Sequence, residues 1–199
     1  TFLLAMRGTP YIYYGDELGM TNIRFDKIDD YRDVQTLNEY RYQKSKGANL
    51  KDFINRLGFE NRDNGRTPFQ WDTTANAGFS TGAPWIKVNP NYATVNAAAQ
   101  ETDPNSILNY FRKMVKLRKD NDVLTYGKYT LLDKDNPDVY AFTRELNGRK
   151  FLVLLNFKNK NSIANTGIDL KHVKSLINNY ATPSTDGSLR PYEAIIYEL

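Results

Sequence analysis

No cysteine occurs in the 199 residues, and histidine occurs once, as His172. The first absence excludes disulfides, zinc–thiolate sites and cysteine nucleophiles, and leaves the redox compartment open. The second excludes a metal centre built on several histidines. His172 itself reads as an ordinary surface or packed residue of a strand-rich region. No apolar run approaches the roughly 18 residues of a membrane-spanning helix, so no membrane partner is expected. Excess charge is also scarce: 27 Lys and Arg face 23 Asp and Glu, a net +4. The one dense basic run, "RKMVKLRK" (112–119), has no stripe of stacking aromatics beside it. It reads as the solvated face and end of a helix, so no nucleic-acid partner is expected. Tryptophan occurs only twice, as Trp71 and Trp85.

What is present begins with "TFLLAMRGTPYIYYGDELGM". The apolar residues Phe2 to Met6 suit the last turns of a helix, with Gly8 as its C-cap and Pro10 two residues beyond. "YIYYG" then suits a short strand buried on both faces, as in a parallel sheet. Burying five such side chains is worth on the order of 10 kcal/mol, comparable to the roughly 5–15 kcal/mol stability of a whole domain. A parallel strand needs parallel neighbours joined by crossover helices, and no second strand–helix–strand pattern follows. Its neighbours are therefore expected upstream, in a larger protein of which this chain is a piece.

The segments "DVQTLNEYRYQKSKG" (33–47) and "LKDFINRLGF" (50–59) predict two short helices ended by Gly47 and Gly58. Residues 61–103, rich in Asn, Thr, Gly and Pro, predict a long structured loop region, and such loops are commonly functional. Asp103 and Pro104 suit the N-cap and first position of an amphipathic helix of about four turns. From Val123 onward the segments "KYTLL", "DVYAFTREL", "RKFLVLLNF", "SIANTGIDL", "VKSLINNY" and "EAIIYEL" predict strands, with Asn147-Gly148 a strong hairpin turn. They predict a small antiparallel sandwich. The change of character falls near residue 121.

Three clusters carry candidate chemistry. Asp16-Glu17 follows the predicted strand, but neighbours on an extended chain point to opposite faces, so they suit a hydrogen-bonding role rather than a facing catalytic pair. Asp29, Asp30 and Asp33 lack the spacing of a calcium loop and read as a solvated helix start. "RDNGRTPFQWD" (62–72) places Arg62 and Arg66 four residues apart in a loop broken by Gly65 and Pro68. Their guanidinium forks suit either a structural ion-pair knot or a ligand contact. Trp71 and Trp85 suit either ring stacking or packing.

Taken in order, "GTPYIYYGDELGMTN", "YRDVQTLN", "RDNGRTPFQWD", "AGFSTGAPWIKVNPNY" and "LRPYEAIIYEL" closely resemble the C-terminal part of glycoside hydrolase family 13, across essentially the whole chain. The resemblance implies an α+β fragment: the last strand (10–15) and last helix (104–120) of a (β/α)8 TIM barrel, with a post-strand-8 subdomain between them. The catalytic barrel's end would occupy residues 1–121 and a C-terminal antiparallel β-sandwich residues 122–199. It implies a retaining α-glucosidase acting on short α-1,6- or α-1,4-linked oligosaccharides. The family's catalytic Asp, Glu and Asp would precede residue 1, so the isolated chain is expected to be inactive and to associate with the remainder of the barrel or with itself. Substrate-binding roles carry over to Arg62, which would reach the glucose of the −1 pocket, to Arg66 beside it, and to Gln35, where many relatives have glutamate. That substitution leaves the linkage preference open. No cofactor or metal ligand is implied, and the expected compartment is the cytoplasm. The alternatives are a carbohydrate-binding accessory module, or a sibling such as a trehalose-6-phosphate hydrolase or a sucrose isomerase.

Overall fold

The computed structural model describes residues 1–199. Packing divides the chain into two compact units, Thr1–Ile12 with Tyr110–Leu199, and Tyr13–Asn109. This division by packing is a different quantity from the change of sequence character at residue 121. The N-terminal apolar turn and the basic helix share a core with the C-terminal sheet.

That sheet has five antiparallel strands in the order β1 (Lys128–Leu132), β2 (Val139–Leu146), β3 (Arg149–Asn156), β7 (Ala194–Glu198) and β5 (Lys174–Asn178). Asn147 and Gly148 join β2 to β3 with φ of 51° and 80°, the doubly left-handed turn that matches strand twist. The run "FLVLL" is apolar without a break because β3 is covered on both faces. Phe151, Val153 and Leu155 pack with Leu4 of α1 (Phe2–Ala5), Met114 of α5 (Ile107–Lys119) and Leu124 of α6 (Asp122–Tyr126). Leu152 and Leu154 point the other way, toward Leu170, Leu189 and Ile195.

Here the structure departs from the expected sandwich. The second sheet is only a two-stranded ribbon, β4 (Ser162–Ile163) with β6 (Ser188–Leu189), and helices cover the opposite face. The predicted strand 162–170 stops after two residues, and Gly167 turns the chain at φ 71°. Gly8 is not the helix C-cap: α1 ends at Met6, in extended conformation. Nor is the basic run wholly solvated. Arg118 is buried, and its guanidinium donates to the carbonyls of Leu4 (2.7 Å), Met6 (2.8 Å), Leu124 (3.1 Å) and Gly8. Arg144, fully buried, does the same for Ala5 (2.6 Å), Leu124 (2.8 Å) and Gly127 (2.9 Å). Two cations are accepted in this core because main-chain carbonyls satisfy their donors.

The second unit carries α2 (Val34–Ser45), α3 (Leu50–Glu60) and α4 (Ala97–Thr102), with short 3-10 turns before α2 and between α3 and α4. Asp33 caps α2 by accepting the Thr36 N–H at 3.1 Å, and Asn49 caps α3 by accepting the Lys51 N–H at 3.1 Å. Gly58 does not end α3. It lies inside the helix, where an added Cβ would come 3.1 Å from the Arg24 Cβ. Its role is close approach of the two segments. Asp103 and Pro104 do not open α5 either. The Asp103 carboxylate accepts from Asn105 N at 2.8 Å, whereas Ser106 Oγ accepts the Asn109 N–H at 3.2 Å and caps the helix.

A small core of Ile23, Phe25, Tyr31, Phe53, Leu57 and Ile86 holds this unit together. Amide side chains pin the long loops. Asn89 Nδ2 donates to Thr21 O (2.9 Å), and Gln70 Nε2 to Val95 O (2.6 Å). Gln100 bridges Leu18 O and Leu108 N at 2.8 and 2.9 Å. The Asn-rich composition of residues 61–103 thus reflects ordering, since each amide replaces a main-chain partner that a loop lacks.

The run Tyr11–Gly15 makes no ladder with any strand of this chain. Tyr11 is 87% exposed, and Ile12, Tyr13 and Tyr14 are also exposed. A strand requires a hydrogen-bonding neighbour, and none of the seven strands here pairs with it.

Candidate functional site

The loop "RDNGR" folds as a 3-10 turn, Arg62–Arg66, capped by Asn61, whose Oδ1 accepts the Asp63 N–H at 2.6 Å. The tight turn brings both arginines to one side, facing the start of α2. There Asp33, 5% exposed, receives them: its Oδ1 lies 2.8 Å from Arg62 Nη2 and 3.2 Å from Arg66 Nη2. Its Oδ2 accepts from Thr36 N and from Thr36 Oγ1 (2.9 Å), and Asn61 Nδ2 donates to the same hydroxyl at 2.6 Å. Burial pushes the Asp33 carboxyl up. The Thr36 hydrogen bonds, the Arg66 hydrogen bond and the Arg62 charge outweigh it, holding the pKa below the ordinary carboxylate value.

Asp63 braces the network from beneath. Its Oδ2 accepts the N–H groups of Arg32 (2.7 Å) and Asp33 (3.1 Å), fixing the entry to α2. Its Oδ1 lies 3.3 Å from Arg66 Nη2, an ion pair without hydrogen-bond geometry. Gln35, in the first turn of α2, accepts from Arg62 Nη2 at 3.0 Å. The three residues singled out in the sequence, Arg62, Arg66 and Gln35, therefore meet in one cluster. Its hub is Asp33, which the sequence reading placed in solvent. The cue for that hub was local: an Asp placed immediately before a helical segment suits the N-cap position.

The side chain of Arg62 remains 63% exposed and that of Arg66 37%. The cluster is therefore a fixed cationic edge whose remaining donors face outward. Its aspartates are engaged by arginine, so neither is free to act as a general acid. Asp16 and Glu17 are turned back onto their own loop, accepting the N–H groups of Tyr13 (3.1 Å) and Gly15 (2.8 Å). The arrangement can bind and orient a hydroxylated or anionic group. It contains no facing carboxyl pair of the kind that cleaves a glycosidic bond. No group of three or more His, Asp or Glu side chains is placed to hold a metal ion.

Arg66 also forms part of the wall of a cavity of about 610 Å³, with Tyr14, Phe69, Trp71, Phe79 and Trp85 as its aromatic sides and Glu17 at its edge. Trp71 is 53% and Trp85 58% exposed. The two tryptophans, far from packed interior residues, belong to one concave surface.

The family profile described as "Alpha amylase, catalytic domain" matches residues 1–127, more than half of the chain. The chain belongs to the alpha-amylase family. Among curated relatives, the oligo-1,6-glucosidase of Parageobacillus thermoglucosidasius is 43% identical over 206 residues, covering 100% of this chain and 37% of that protein. Among solved structures, the trehalose-6-phosphate hydrolase of Bacillus licheniformis superposes with a TM-score of 0.91 at 41% identity, covering 98% of this chain and 36% of its own. An isomaltulose synthase from Erwinia rhapontici NX5, in complex with D-glucose, gives a TM-score of 0.91 at 43% identity, covering 100% and 36%. This alpha-amylase family chain thus spans little more than a third of the length of the relatives it matches.

Proposed function

We propose that this chain is the C-terminal portion of a retaining α-glucosidase, and that Arg62 binds the glucosyl unit at the non-reducing end of a short α-linked oligosaccharide. The observation that carries this reading is the Arg62 guanidinium itself. Asp33 and Gln35 hold it in place, yet it stays largely exposed, as a pre-organised ligand contact requires. Arg66 shares its aspartate and supports the geometry. In this reading residues 10–15 are the eighth barrel strand and 104–120 the last barrel helix, and residues 122–199 form the C-terminal β-domain. The catalytic carboxylates come from barrel strands that precede this segment, which explains why the cluster has donors but no acid–nucleophile pair. The exposed Tyr11–Tyr14 run is then the surface that the remaining barrel covers.

The test is hydrolysis by the full-length protein of isomaltose, maltose, trehalose 6-phosphate and sucrose, measured for the natural sequence and for Arg62→Ala. Release of glucose from isomaltose or maltose, with kcat/KM lowered by about a hundredfold or more in the variant, is expected for a lost charge-assisted donor at the reacting sugar. No hydrolysis of any of the four overturns the proposal. The same panel decides the sibling reading, which the likeness to a trehalose-6-phosphate hydrolase and an isomaltulose synthase favours. A binding module acting through residues 122–199 has less support, since that segment has no tryptophan to stack on a sugar. In the full-length protein, Gln35→Glu adds a second carboxylate on Arg62. It is expected to change the ratio of kcat/KM for isomaltose over maltose by about threefold or more, the effect of one altered polar contact.

A further inference from the structure

We infer that Asn61 is a positioning residue: acting through the Thr36 hydroxyl, it fixes the orientation of the Asp33 carboxylate and, with it, the direction of the Arg62 guanidinium. Its bearing on hydrolysis rests on the function proposed above. Its hold on Arg62 stands on the geometry of the cluster alone.

Asn61 occupies a joint between two elements. Its backbone N–H donates to Leu57 O at 3.1 Å and closes α3, while its carbonyl accepts the Asn64 N–H at 3.2 Å in the turn that follows. The residue is only 6% exposed, and its side chain has two partners. Oδ1 accepts the Asp63 N–H at 2.6 Å and caps the 62–66 turn. Nδ2 donates to Thr36 Oγ1 at 2.6 Å, across to the first turn of α2. The first contact decides the second. A flipped amide would set its NH2 against the Asp63 N–H, donor against donor, so the nitrogen faces Thr36.

The direction of hydrogen bonding then follows along the relay. A hydroxyl has one proton to give. With Asn61 Nδ2 donating to it, the Thr36 hydroxyl donates onward, and Asp33 Oδ2 receives that proton at 2.9 Å beside the Thr36 N–H at 3.1 Å. Oδ2 is thereby committed to Thr36, and Oδ1 is left to the arginines, 2.8 Å from Arg62 Nη2 and 3.2 Å from Arg66 Nη2. The terminal torsion of an aspartate is soft. A carboxylate free to turn about it would not hold a guanidinium in one direction. Asp33 and Thr36 are both buried, so a lost partner here is not replaced by bulk water.

Capping alone does not call for an amide, because Asn, Asp and Ser cap almost equally well. The donor aimed at Thr36 is what distinguishes asparagine at this position. Asn61→Ser separates the two roles: serine still caps the turn but is too short to reach Thr36, and the charge is unchanged. Thr36→Val removes the hydroxyl by itself, and Thr36→Ser restores it.

The experiment has two arms. In the 199-residue chain, side-chain NMR of the Arg62 Nε–H, assigned by its loss in Arg62→Lys, reports how firmly the guanidinium is held. Its order is expected to fall in Asn61→Ser and Thr36→Val and to be kept in Thr36→Ser, a pattern that loss of the cap would not produce. Unchanged order in a folded Asn61→Ser or Thr36→Val overturns the proposal, and if one of these variants does not fold, the other decides. In the full-length protein the same two variants are expected to lower kcat/KM for isomaltose or maltose by about tenfold, through kcat more than KM, the effect of a displaced contact at the reacting sugar. Thr36→Ser should stay close to the natural sequence. Undiminished kcat/KM in Asn61→Ser also overturns the proposal. If the natural full-length protein hydrolyses neither sugar, the function proposed above falls, and the order of Arg62 still decides this one.

Discussion

At the scale of single residues, Asp33 is the position on which most depends. It is at once a helix cap, the hydrogen-bond acceptor of Arg66, the ion-pair partner of Arg62 and the partner of Thr36. Its folded pKa lies below the unfolded value of about 3.9. Its contribution to stability is therefore complete above that value and disappears as pH falls through the lower, folded value. Asp33→Asn is expected to lower the unfolding free energy by about 2 kcal/mol, less than for a fully buried pair because both arginines are partly exposed. Urea unfolding measures this, and the acid limb of stability against pH should flatten in the variant. An unchanged acid limb would remove Asp33 from the account. The sequence made Arg62 and Arg66 legible, because two forks four residues apart in a polar loop are unusual. It did not reveal the burial of Asp33, since solvent exclusion there comes from α3 and the 62–66 turn closing over it.

At the scale of elements, the buried arginines tie secondary structure together. Arg144 sits in the middle of β2 and ends on carbonyls of α1, of α6 and of the residue after α6. Burial and the neighbouring Arg118 and Arg7 charges lower its pKa, yet the carbonyls keep the guanidinium in place. Arg144→Ala would leave those acceptors unsatisfied inside a core and is expected to cost about 3 kcal/mol or more. Arg144→Lys should recover only part of that, because an ammonium cannot span three divergent carbonyls. Urea midpoints of the two variants check the order. Gly127, which ends α6, shows a related constraint. A Cβ there would lie 2.3 Å from Val123 O, so Gly127→Ala should destabilise by about 2 kcal/mol through a main-chain clash, again read from urea unfolding.

At the scale of the whole molecule, the decisive feature is a strand-like segment without a sheet. The amides of Tyr11, Ile12 and Tyr14 have no acceptor in this chain. Hydrogen exchange should therefore find them unprotected, while those of β3, paired on both sides with β2 and β7, are protected. Protection at Tyr11 and Ile12 in the 199-residue chain would mean that a partner strand, from a second copy, has been recruited. The same exposure underlies the proposal that further strands of a longer protein cover this run, and gel filtration of the chain with and without a preceding segment tests it.

The sequence by itself determined what short-range sterics control. It specified the Asn147-Gly148 hairpin, the Asn49 cap, the end of α2 at Gly47 and the alternation that sends Phe151 and Leu152 to opposite faces. Each of these depends on residues within a few positions of one another. Only the tertiary structure decided which polar groups lose their water and which aromatics keep theirs. Gly58 continues a helix because Arg24 crosses it. Arg118 leaves the solvated face because the carbonyls of residues 4–8 lie within reach. Trp71 and Trp85 share a cavity because the left-handed turn at residues 76–78 and the Arg32 hydrogen bond to Trp85 O set them there. Such outcomes are sums over contacts between segments distant in the chain, and no local pattern encodes them.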